Sequence, residues 1–402
     1  MADKRVELLS PAGDMERLSM ALHYGADAVY LAGRSFGMRA AAVNFTDEEL
    51  QSAVVLAHGK NAKVYVTCNT LPREDELKAL PEYLTFLQNA GVDGLIIADL
   101  GVMTLAKRYA PEVPIHMSTQ FGATNSASAR ALYELGVDTV VLARELPLEE
   151  IKKIRANTPG ELRLEAFVHG AMCVSFSGRC LLSNYMTGRD ANRGQCAQPC
   201  RWKYHLVEET RPGEYFEISE DGGTHIMNSR DMCMIAHIPE LIDAGISSFK
   251  IEGRMKSAYY TAVVTNAYRQ AVDAALAGQE LDRLWVEETE KVSHRPYCTG
   301  FYFGDAGQHY NGAGYSTKAD VAAIVESCDE AGNAILTQRN KFCAGDSLEL
   351  LLPGKPPIEF SVTEMYGADG EQIFDTRRAM MEIHMKLPVQ ATKYTVLRKT
   401  RS

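Results

Sequence analysis

Short apolar runs recur along the first 250 residues of the chain, and most of them follow an amphipathic helical pattern. Three runs, at 25–32, 91–98 and 136–143, begin with a glycine and resemble one another, and a looser copy lies at 245–252. A glycine suits the left-handed end of a helix, and a run that is apolar throughout is typical of a parallel strand buried on both faces. The pattern therefore predicts repeated helix-to-strand units.

Eight such runs are predicted to be strands, and they lie at 6–9, 28–32, 63–68, 94–98, 114–118, 139–143, 162–168 and 248–252. Helical patterns include 14–24, 74–89, 127–135, 148–157 and 259–276. Eight parallel strands with crossover helices over about 250 residues indicate a (β/α)8 barrel, although an open doubly wound sheet gives a similar series. We favour the barrel and predict an α/β fold with a TIM-barrel-like catalytic domain at 1–310.

The gap between the seventh and eighth runs is much longer than the others and contains a cysteine cluster, which predicts a cysteine-rich insertion at 170–247. Loops that follow barrel strands form the functional face of this fold, so we expect the insertion to lie over the barrel mouth. Polar groups at other strand ends would join it there. They are Ser10, Asn69, Asp99, Gln120, Arg144, Glu145, His169, Glu252 and Arg254.

The composition changes at 296–314, which is rich in glycine, tyrosine and phenylalanine. Beyond it, turn signals separate five short apolar runs, at 319–325, 334–338, 347–352, 358–364 and 394–397. Short strands bounded by turns are typical of small all-β units. We therefore predict a small β-barrel-like C-terminal domain at 315–402.

The chain of 402 residues has a net charge of −10, which argues against a protein coated in nucleic acid. Two local patches are basic nevertheless: 377–402 has seven basic residues against one acidic, and 172–204 has five against one. Either patch could contact phosphate, and solvated surface charge is the plainer interpretation. No apolar run is long enough for a membrane span and the first residues lack a signal peptide pattern, so we expect a cytoplasmic protein without membrane contact.

Nine cysteines without an export signal indicate reduced thiols, metal ligands or redox groups rather than disulfides. Cys173, Cys180, Cys196 and Cys200 have the spacing C-x6-C-x15-C-x3-C, and Cys233 follows 33 residues later. Structural zinc sites use tight cysteine pairs, and only the third and fourth cysteines are so placed. A 4Fe–4S cluster accepts wide spacings and fits at least as well, while zinc, or buried thiols with a redox pair, stays open.

Sequence motifs for other mechanisms are absent: there is no phosphate-binding loop, dinucleotide fingerprint, H-E-x-x-H zinc motif or G-x-S-x-G nucleophile elbow. A nucleophilic pair of Cys173 with His169 is conceivable, with an orienting carboxylate from Glu165 or Asp231. A hydrolytic thiol, however, does not need several neighbouring thiols.

The stretch EAFVHGAMCVSFSGRCLLS at 165–183 resembles the signature of peptidase family U32. Further segments that resemble this family are 8–13, 117–120, 193–201, 227–231 and 249–256, and the C-terminal segment resembles its small β domain. The resemblance implies an oxygen-independent hydroxylase with a 4Fe–4S cluster on Cys173, Cys180, Cys196 and Cys200, followed by Trp202. It is closest to the branch that hydroxylates the wobble uridine of tRNA, with prephenate as the implied hydroxyl donor.

The resemblance keeps several alternatives open. Cys233 matches a position that some members use as the fourth cluster ligand, and related branches act on ribosomal RNA or a quinone precursor. The family's protease and collagenase label implies a peptidase instead, and a noncatalytic RNA-binding or assembly factor with a structural metal is a third hypothesis. For the hydroxylase, we expect His169, Arg254, Arg144 and Lys256 to receive a small anionic cosubstrate, with Glu252 in the catalytic set and tRNA as a transient partner.

Overall fold

The computed structural model of the chain describes residues 6–38, 44–173, 175–202, 210, 213, 229–307 and 315–401. Its strands are β1 (Glu7–Pro11), β2 (Ala28–Leu31), β3 (Lys63–Cys68), β4 (Gly94–Ile97), β5 (Ile115–Met117), β6 (Thr139–Val141), β7 (Arg163–Ala171), β8 (Asp231–Cys233), β9 (Ser248–Ile251), β10 (Tyr297–Cys298), β11 (Ala319–Cys328), β12 (Asn333–Gln338), β13 (Ser347–Leu351), β14 (Ile358–Ser361), β15 (Met365–Tyr366), β16 (Gln372–Ile373), β17 (Glu382–Lys386) and β18 (Val396–Thr400). Its helices are α1 (Met15–His23), α2 (Asp47–His58), α3 (Glu74–Leu77), α4 (Leu80–Asn89), α5 (Leu100–Tyr109), α6 (Ser126–Glu134), α7 (Leu148–Ala156), α8 (Leu182–Thr187), α9 (Ile238–Asp243), α10 (Ala258–Leu276) and α11 (Arg283–Thr289).

Strands β1 to β7 and β9 form a closed parallel barrel. Each strand from β1 to β7 pairs with the next, and β9 completes the ring by pairing with both β1 and β7. Ser248 of β9 lies opposite Glu7 on one side and Glu165 on the other. The predicted TIM-like barrel is confirmed, and the open doubly wound sheet is wrong.

The structure adds two details that the apolar pattern did not predict. Strand β8 lies within the insertion and runs antiparallel to β7, and β10 then pairs with β8. The single helix predicted over 74–89 is two helices, α3 and α4. Pro81 lies at the start of α4, where a missing backbone N–H costs nothing, whereas inside a continuous helix its ring would clash with the preceding turn.

The barrel interior is packed and contains paired charges. Lys250 Nζ donates to Glu165 Oε1 at 2.7 Å, and His116 Nδ1 lies 3.6 Å from the same carboxylate. Burial raises the pKa of Glu165, but Lys250 and His116 together outweigh that effect and bring the pKa to about 2. Tyr65 donates its hydroxyl to Glu7 Oε2 at 2.7 Å. The interior is therefore a filled, charge-compensated core, which leaves the mouth as the place for chemistry.

Strands β11 to β18 form one antiparallel sheet in the order β14-β13-β18-β11-β12-β17-β15-β16. This confirms the predicted small β domain, although the short strands β15 and β16 and the strand β17 were not predicted. The sheet packs against the barrel through Arg398, whose fully buried guanidinium contacts Glu288 of α11 and Glu349 of β13 at 2.6 Å each. Tyr24, directly after α1, also donates to the carbonyl of Leu351 at 2.8 Å.

Across the described residues, every helix is too short or too polar to traverse a lipid bilayer.

Candidate functional site

The cysteine-rich insertion is attached to loops that follow several different barrel strands. Ser177 N–H donates to Glu145 Oε1 at 2.6 Å, just beyond β6, and Arg193 makes a two-pronged contact with Glu76 of α3, beyond β3, at 2.6 and 2.9 Å. These loops all leave the carboxyl ends of the strands. The described part of the insertion therefore covers the barrel mouth, as the position of the long gap predicted.

Four cysteines of the insertion lie close together, and we call Cys173, Cys180, Cys196 and Cys200 the thiol patch. Burial raises the pKa of Cys200, Arg201 lowers it, and the neighbouring thiolates of Cys173, Cys196 and Cys180 raise it further. Ala197 N–H donates to Ser183 Oγ at 2.9 Å, so the chain around Cys196 and Cys200 packs against the chain around Cys180, and ligation of one cluster by all four cysteines stays a prediction. The first and third cysteines are exposed and the other two are half-buried.

Backbone N–H groups already point at two sulfurs of the thiol patch. Leu182 N–H donates to Cys180 Sγ at 3.3 Å, and Gln198 N–H donates to Cys196 Sγ at 3.4 Å. Gln198 adopts a left-handed conformation, with φ of 57°, which turns the chain back toward the sulfur. Hydrogen bonds to sulfur are among the features by which proteins tune iron–sulfur clusters.

The thiol patch does not form a compact single-ion site. Within the described ranges, no three cysteine, histidine, aspartate or glutamate side chains converge closely enough to hold one metal ion. A structural zinc requires four ligands around one atom, whereas the thiolates of a 4Fe–4S cluster bind separate irons and stand farther apart. The donor set, four thiols with N–H groups directed at two of them, has the soft ligands that suit thiolate-bound zinc or an iron–sulfur cluster, and the 4Fe–4S cluster stays a prediction.

Cys233 lies apart from the thiol patch. It is on β8, opposite His169, and its Sγ is 3.9 Å from both Tyr268 OH and Thr289 Oγ1. Burial raises the pKa of its thiol, and the groups that shift this pKa include no cysteine of the thiol patch. Cys233 thus belongs to β8 and to the surroundings of Tyr268 and Thr289, and the choice between Cys200 and Cys233 as the fourth ligand stays a prediction.

Arg144 and Glu252, two predicted catalytic residues, meet at the rim of the mouth. Arg144 Nη2 lies 3.5 Å from Glu252 Oε2, and its Nη1 donates to the carbonyl of Ala171 at 3.0 Å. The guanidinium carbon stands 3.7 Å from the ring centre of Phe167. Stacking and two polar contacts fix the plane of this guanidinium, which suits recognition of a planar anion.

Arg254 follows β9 and is only 4% exposed. Its Nη1 donates to Thr67 Oγ1 at 3.2 Å and its Nη2 donates to Asn44 Oδ1 at 2.9 Å. Gln120, on the loop after β5, is also buried, and its Oε1 has no hydrogen-bond partner among the described residues. These groups supply a guanidinium and a polar acceptor at the end of the barrel where the predicted site lies.

His169 is enclosed rather than open to the mouth. It is 1% exposed, with Nδ1 3.3 Å from Tyr268 OH and Nε2 3.4 Å from Tyr297 OH. Burial lowers its pKa to about 3, so the imidazole is neutral at pH 7. The register shift between Phe167 and His169 in the pairing of β7 with β9 accompanies this placement. A neutral, enclosed ring does not fit the expected role of receiving an anion.

Other groups predicted at strand ends have local structural roles. Ser10 shares a hydrogen bond of 2.9 Å with Thr265 of α10, and Asp99 caps the first turn of α5. Asn69 accepts a hydrogen bond from Met38 N–H at 3.3 Å. These three side chains therefore form hydrogen bonds that stabilise the local structure. The strongest candidates for a functional role at the mouth are Arg144, Glu252 and Arg254.

Tyr315 is a contact residue that the sequence did not reveal. Its hydroxyl accepts a hydrogen bond from Arg201 Nη1 at 3.2 Å, and Lys256 Nζ lies 4.4 Å from its ring centre. Lys256 also donates to the carbonyl of Ser293 at 2.8 Å. Burial lowers the pKa of Lys256. Tyr315 thus contacts both the insertion and the loop after β9, and it lies 114 residues after its partner Arg201.

The basic C-terminal segment is largely neutralised in the fold. Five of its seven basic side chains have carboxylate partners: Arg377 with Asp375, Lys393 with Glu326, Arg398 with Glu288, Lys399 with Asp346, and Arg401 with Asp320. These pairs reduce the excess positive charge of the segment, and its contact with RNA phosphates stays a prediction. In the insertion, Lys203 lies outside the described residues.

Comparisons with known proteins agree with this architecture. The family model described as peptidase family U32 matches residues 13–312, and that of the peptidase family U32 C-terminal domain matches 317–398. A Bacillus subtilis (strain 168) protein named tRNA hydroxylation protein P1 is 37% identical over 98% of this chain and 95% of its own length. An Escherichia coli (strain K12) protein named tRNA hydroxylation protein P is 38% identical over 91% of this chain and 90% of its own. An uncharacterized protease of Methanocaldococcus jannaschii is 46% identical over 76% of this chain and 75% of its own. The chain therefore belongs to peptidase family U32.

Proposed function

We propose that this protein is an RNA-modifying enzyme that hydroxylates the wobble uridine of tRNA, with a 4Fe–4S cluster held by the thiol patch. The observation that carries the proposal is that an insertion with four cysteines is fixed to loops at the mouth of a barrel whose interior is filled. The names of the Bacillus and Escherichia relatives, which align along more than nine-tenths of this chain, support RNA as the substrate class.

Cys173, Cys180, Cys196 and Cys200 would hold the cluster, and the N–H groups of Leu182 and Gln198 would donate to two of its ligand sulfurs. When bound, the cluster would supply one-electron redox chemistry at the mouth. The thiol patch lies over the mouth, where an unpaired anticodon base can enter without melting a duplex.

Arg144 and Arg254 are the groups we assign to an anionic cosubstrate, for which the family resemblance implies prephenate. Arg144 is oriented by the Phe167 ring and by Glu252, and Arg254 is held by Thr67 and Asn44. Two fixed guanidinium groups suit a compact molecule with two carboxylates. Glu252 then acts as a positioning residue for Arg144.

The peptidase alternative lacks support from the described geometry. A Cys173 nucleophile would require His169 as its base, but both ring nitrogens of His169 face tyrosine hydroxyls. His169 contacts Tyr268 and Tyr297 instead, in a closed aromatic environment. This arrangement favours a structural role for His169 and leaves the thiol free for metal ligation.

Mass spectrometry of nucleosides from a strain that lacks the gene tests the proposal. Hydroxyuridine should vanish from tRNA, return with the wild-type chain, and stay absent with Cys196→Ser, while Cys328→Ser on the C-terminal sheet should restore it as a matched control. Unchanged tRNA hydroxyuridine in the deletion strain would overturn the function. If a hydroxylated nucleoside is lost only from ribosomal RNA, the substrate is ribosomal RNA and not tRNA.

The purified protein provides a second readout of the same proposal. After anaerobic purification it should be brown, with about four irons per chain, as expected for one 4Fe–4S cluster. A colourless zinc protein that cleaves casein would instead support the peptidase.

A further inference from the structure

Large aromatic side chains are exposed around the thiol patch. Tyr185 is 88% exposed, Phe176 is 56% exposed and Trp202 is 41% exposed. Each lies a few residues after a thiol-patch cysteine: Phe176 by three residues, Tyr185 by five and Trp202 by two. Exposed aromatic groups that cluster beside a functional site are typical of a binding surface. We call these three residues the aromatic rim.

The packing of α8 fixes the exposure of Tyr185. Ser183, on the inner side of the helix, is fully buried and accepts a hydrogen bond from Ala197 N–H at 2.9 Å. Leu181 and Tyr185 are four residues apart, so they share the outer side of this segment, and Leu181 is also exposed. The tyrosine is therefore presented to solvent by a helix that is anchored on its other face.

Guanidinium groups alternate with the aromatic rim along the same segment. Arg189 Nε donates to the carbonyl of Gln195 at 3.1 Å, and Arg201 contacts Tyr315. Among the described residues, no carboxylate lies within ion-pairing distance of Arg179, Arg189 or Arg201, in contrast to the C-terminal segment. In a chain with net charge −10, this is a local excess of positive charge.

We propose that the aromatic rim stacks on unpaired nucleotides of the RNA loop that carries the target base, while Arg179 and Arg189 contact the flanking phosphates. The inference rests on the proposed function and specifies how this protein distinguishes a loop from a duplex. Aromatic faces interleaved with arginines are the recurring means of binding single-stranded nucleic acid, because bases must be unstacked before a side chain can stack on them. The aromatic rim borders the thiol patch. A base next to the stacked nucleotides would therefore lie near the barrel mouth.

Fluorescence anisotropy with the cluster-loaded full chain and a labelled anticodon stem-loop tests the inference. Tyr185→Ala and Trp202→Ala should each weaken binding about tenfold, the effect of losing one stacked base. Tyr185→Phe should bind as wild type, since it retains the ring. Phe374→Ala, at a 70% exposed phenylalanine of the C-terminal domain, is the matched control and should bind as wild type. Iron content should match wild type in all four variants.

The salt dependence of binding separates phosphate contact from stacking. Arg189→Gln should reduce the slope of log affinity against log salt by about 0.7, the value for one phosphate contact on a single strand. Arg130→Gln, at an exposed arginine of α6, should leave the slope unchanged.

Three results would overturn the inference. The first is that Tyr185→Ala and Trp202→Ala both equal wild type in affinity. The second is that a fully paired duplex of the same length binds as tightly as the stem-loop. The third is a dimer, detected by light scattering, that Tyr185→Ala dissociates, which would assign the aromatic rim to contact between two copies of the chain. In each case the loss of hydroxyuridine from the deletion strain would still stand, so the two proposals fail independently.

Discussion

The side chain of Asn192 holds the backbone of Cys180 from both sides. Asn192 Oδ1 accepts a hydrogen bond from Cys180 N–H at 3.3 Å, and Asn192 Nδ2 donates to the carbonyl of Cys180 at 3.1 Å. The carbonyl of Asn192 in turn accepts from Leu71 N–H, beyond β3, at 3.4 Å. Asn192 thus links the backbone of Cys180 to the loop that follows β3 of the barrel.

Replacing Asn192 with alanine should lower the iron content of the anaerobically purified protein. Each lost hydrogen bond removes about 1 kcal/mol of net stabilisation from the conformation that presents Cys180. Asn184→Ala, at an exposed asparagine of α8, is the matched control and should keep full iron content. Equal iron in the two variants would show that the asparagine does not position the thiol.

Cys200→Ser should lose the brown colour and most of its iron, whereas Cys233→Ser should retain both. The reason is that the segment of Cys200 packs on that of Cys180, while Cys233 contacts Tyr268 and Thr289. Iron analysis and the visible absorption spectrum measure the difference. The opposite result, with iron lost only in Cys233→Ser, would assign the fourth ligand to β8.

Arg398→Met should destabilise the protein by about 3–5 kcal/mol, because it leaves buried carboxylates without their cation. The carboxylates are those of Glu288 and Glu349, each 2.6 Å from the guanidinium. Chemical denaturation followed by circular dichroism measures the effect. Arg401→Met removes a contact with Asp320 that lies in water and should barely move the unfolding midpoint. Similar midpoints for the two variants would contradict this prediction.

His169 should make the protein less stable as the pH falls. Burial lowers its folded pKa to about 3, whereas an unfolded histidine has a pKa of about 6.5. The stabilisation is therefore complete above about pH 6.5 and is lost as the pH approaches 3, at up to about 1.4 kcal/mol per pH unit. Urea titrations at pH 5.5 and 4.5 should show a smaller loss for His169→Gln than for wild type.

The exposed His58 supplies the control for this measurement. His58→Gln should lose as much free energy of unfolding between the two pH values as wild type does, because its ring is 45% exposed. If His169→Gln loses as much free energy of unfolding between pH 5.5 and 4.5 as wild type, the buried imidazole is not the source of the pH dependence.

The barrel was predictable because strands buried on both faces are apolar throughout, so that β2, β4 and β6 stand out in the sequence. The same criterion could not detect β8, which has three residues and begins with Asp231. That aspartate is buried against Arg295 at 2.7 Å. A strand stabilised by a distant ion pair has no apolar pattern of its own.

The thiol patch was predictable as a group, because cysteine clusters are conspicuous in the sequence, but its surroundings were not. The partners of Arg193 and Arg201 lie 117 and 114 residues away, and no local spacing indicates them. The position of His169 was unpredictable for a related reason. Its strand continues to Ala171, past the expected end, and the register shifts within it.

The insertion reaches its place through contacts with Glu145, Glu76 and Tyr315, which belong to three separate loops of the chain. Those loops are held in fixed positions relative to one another only after the parallel strands have closed into the barrel. On the proposed function, the cluster would therefore be inserted into a chain whose barrel has already folded, as a late maturation step.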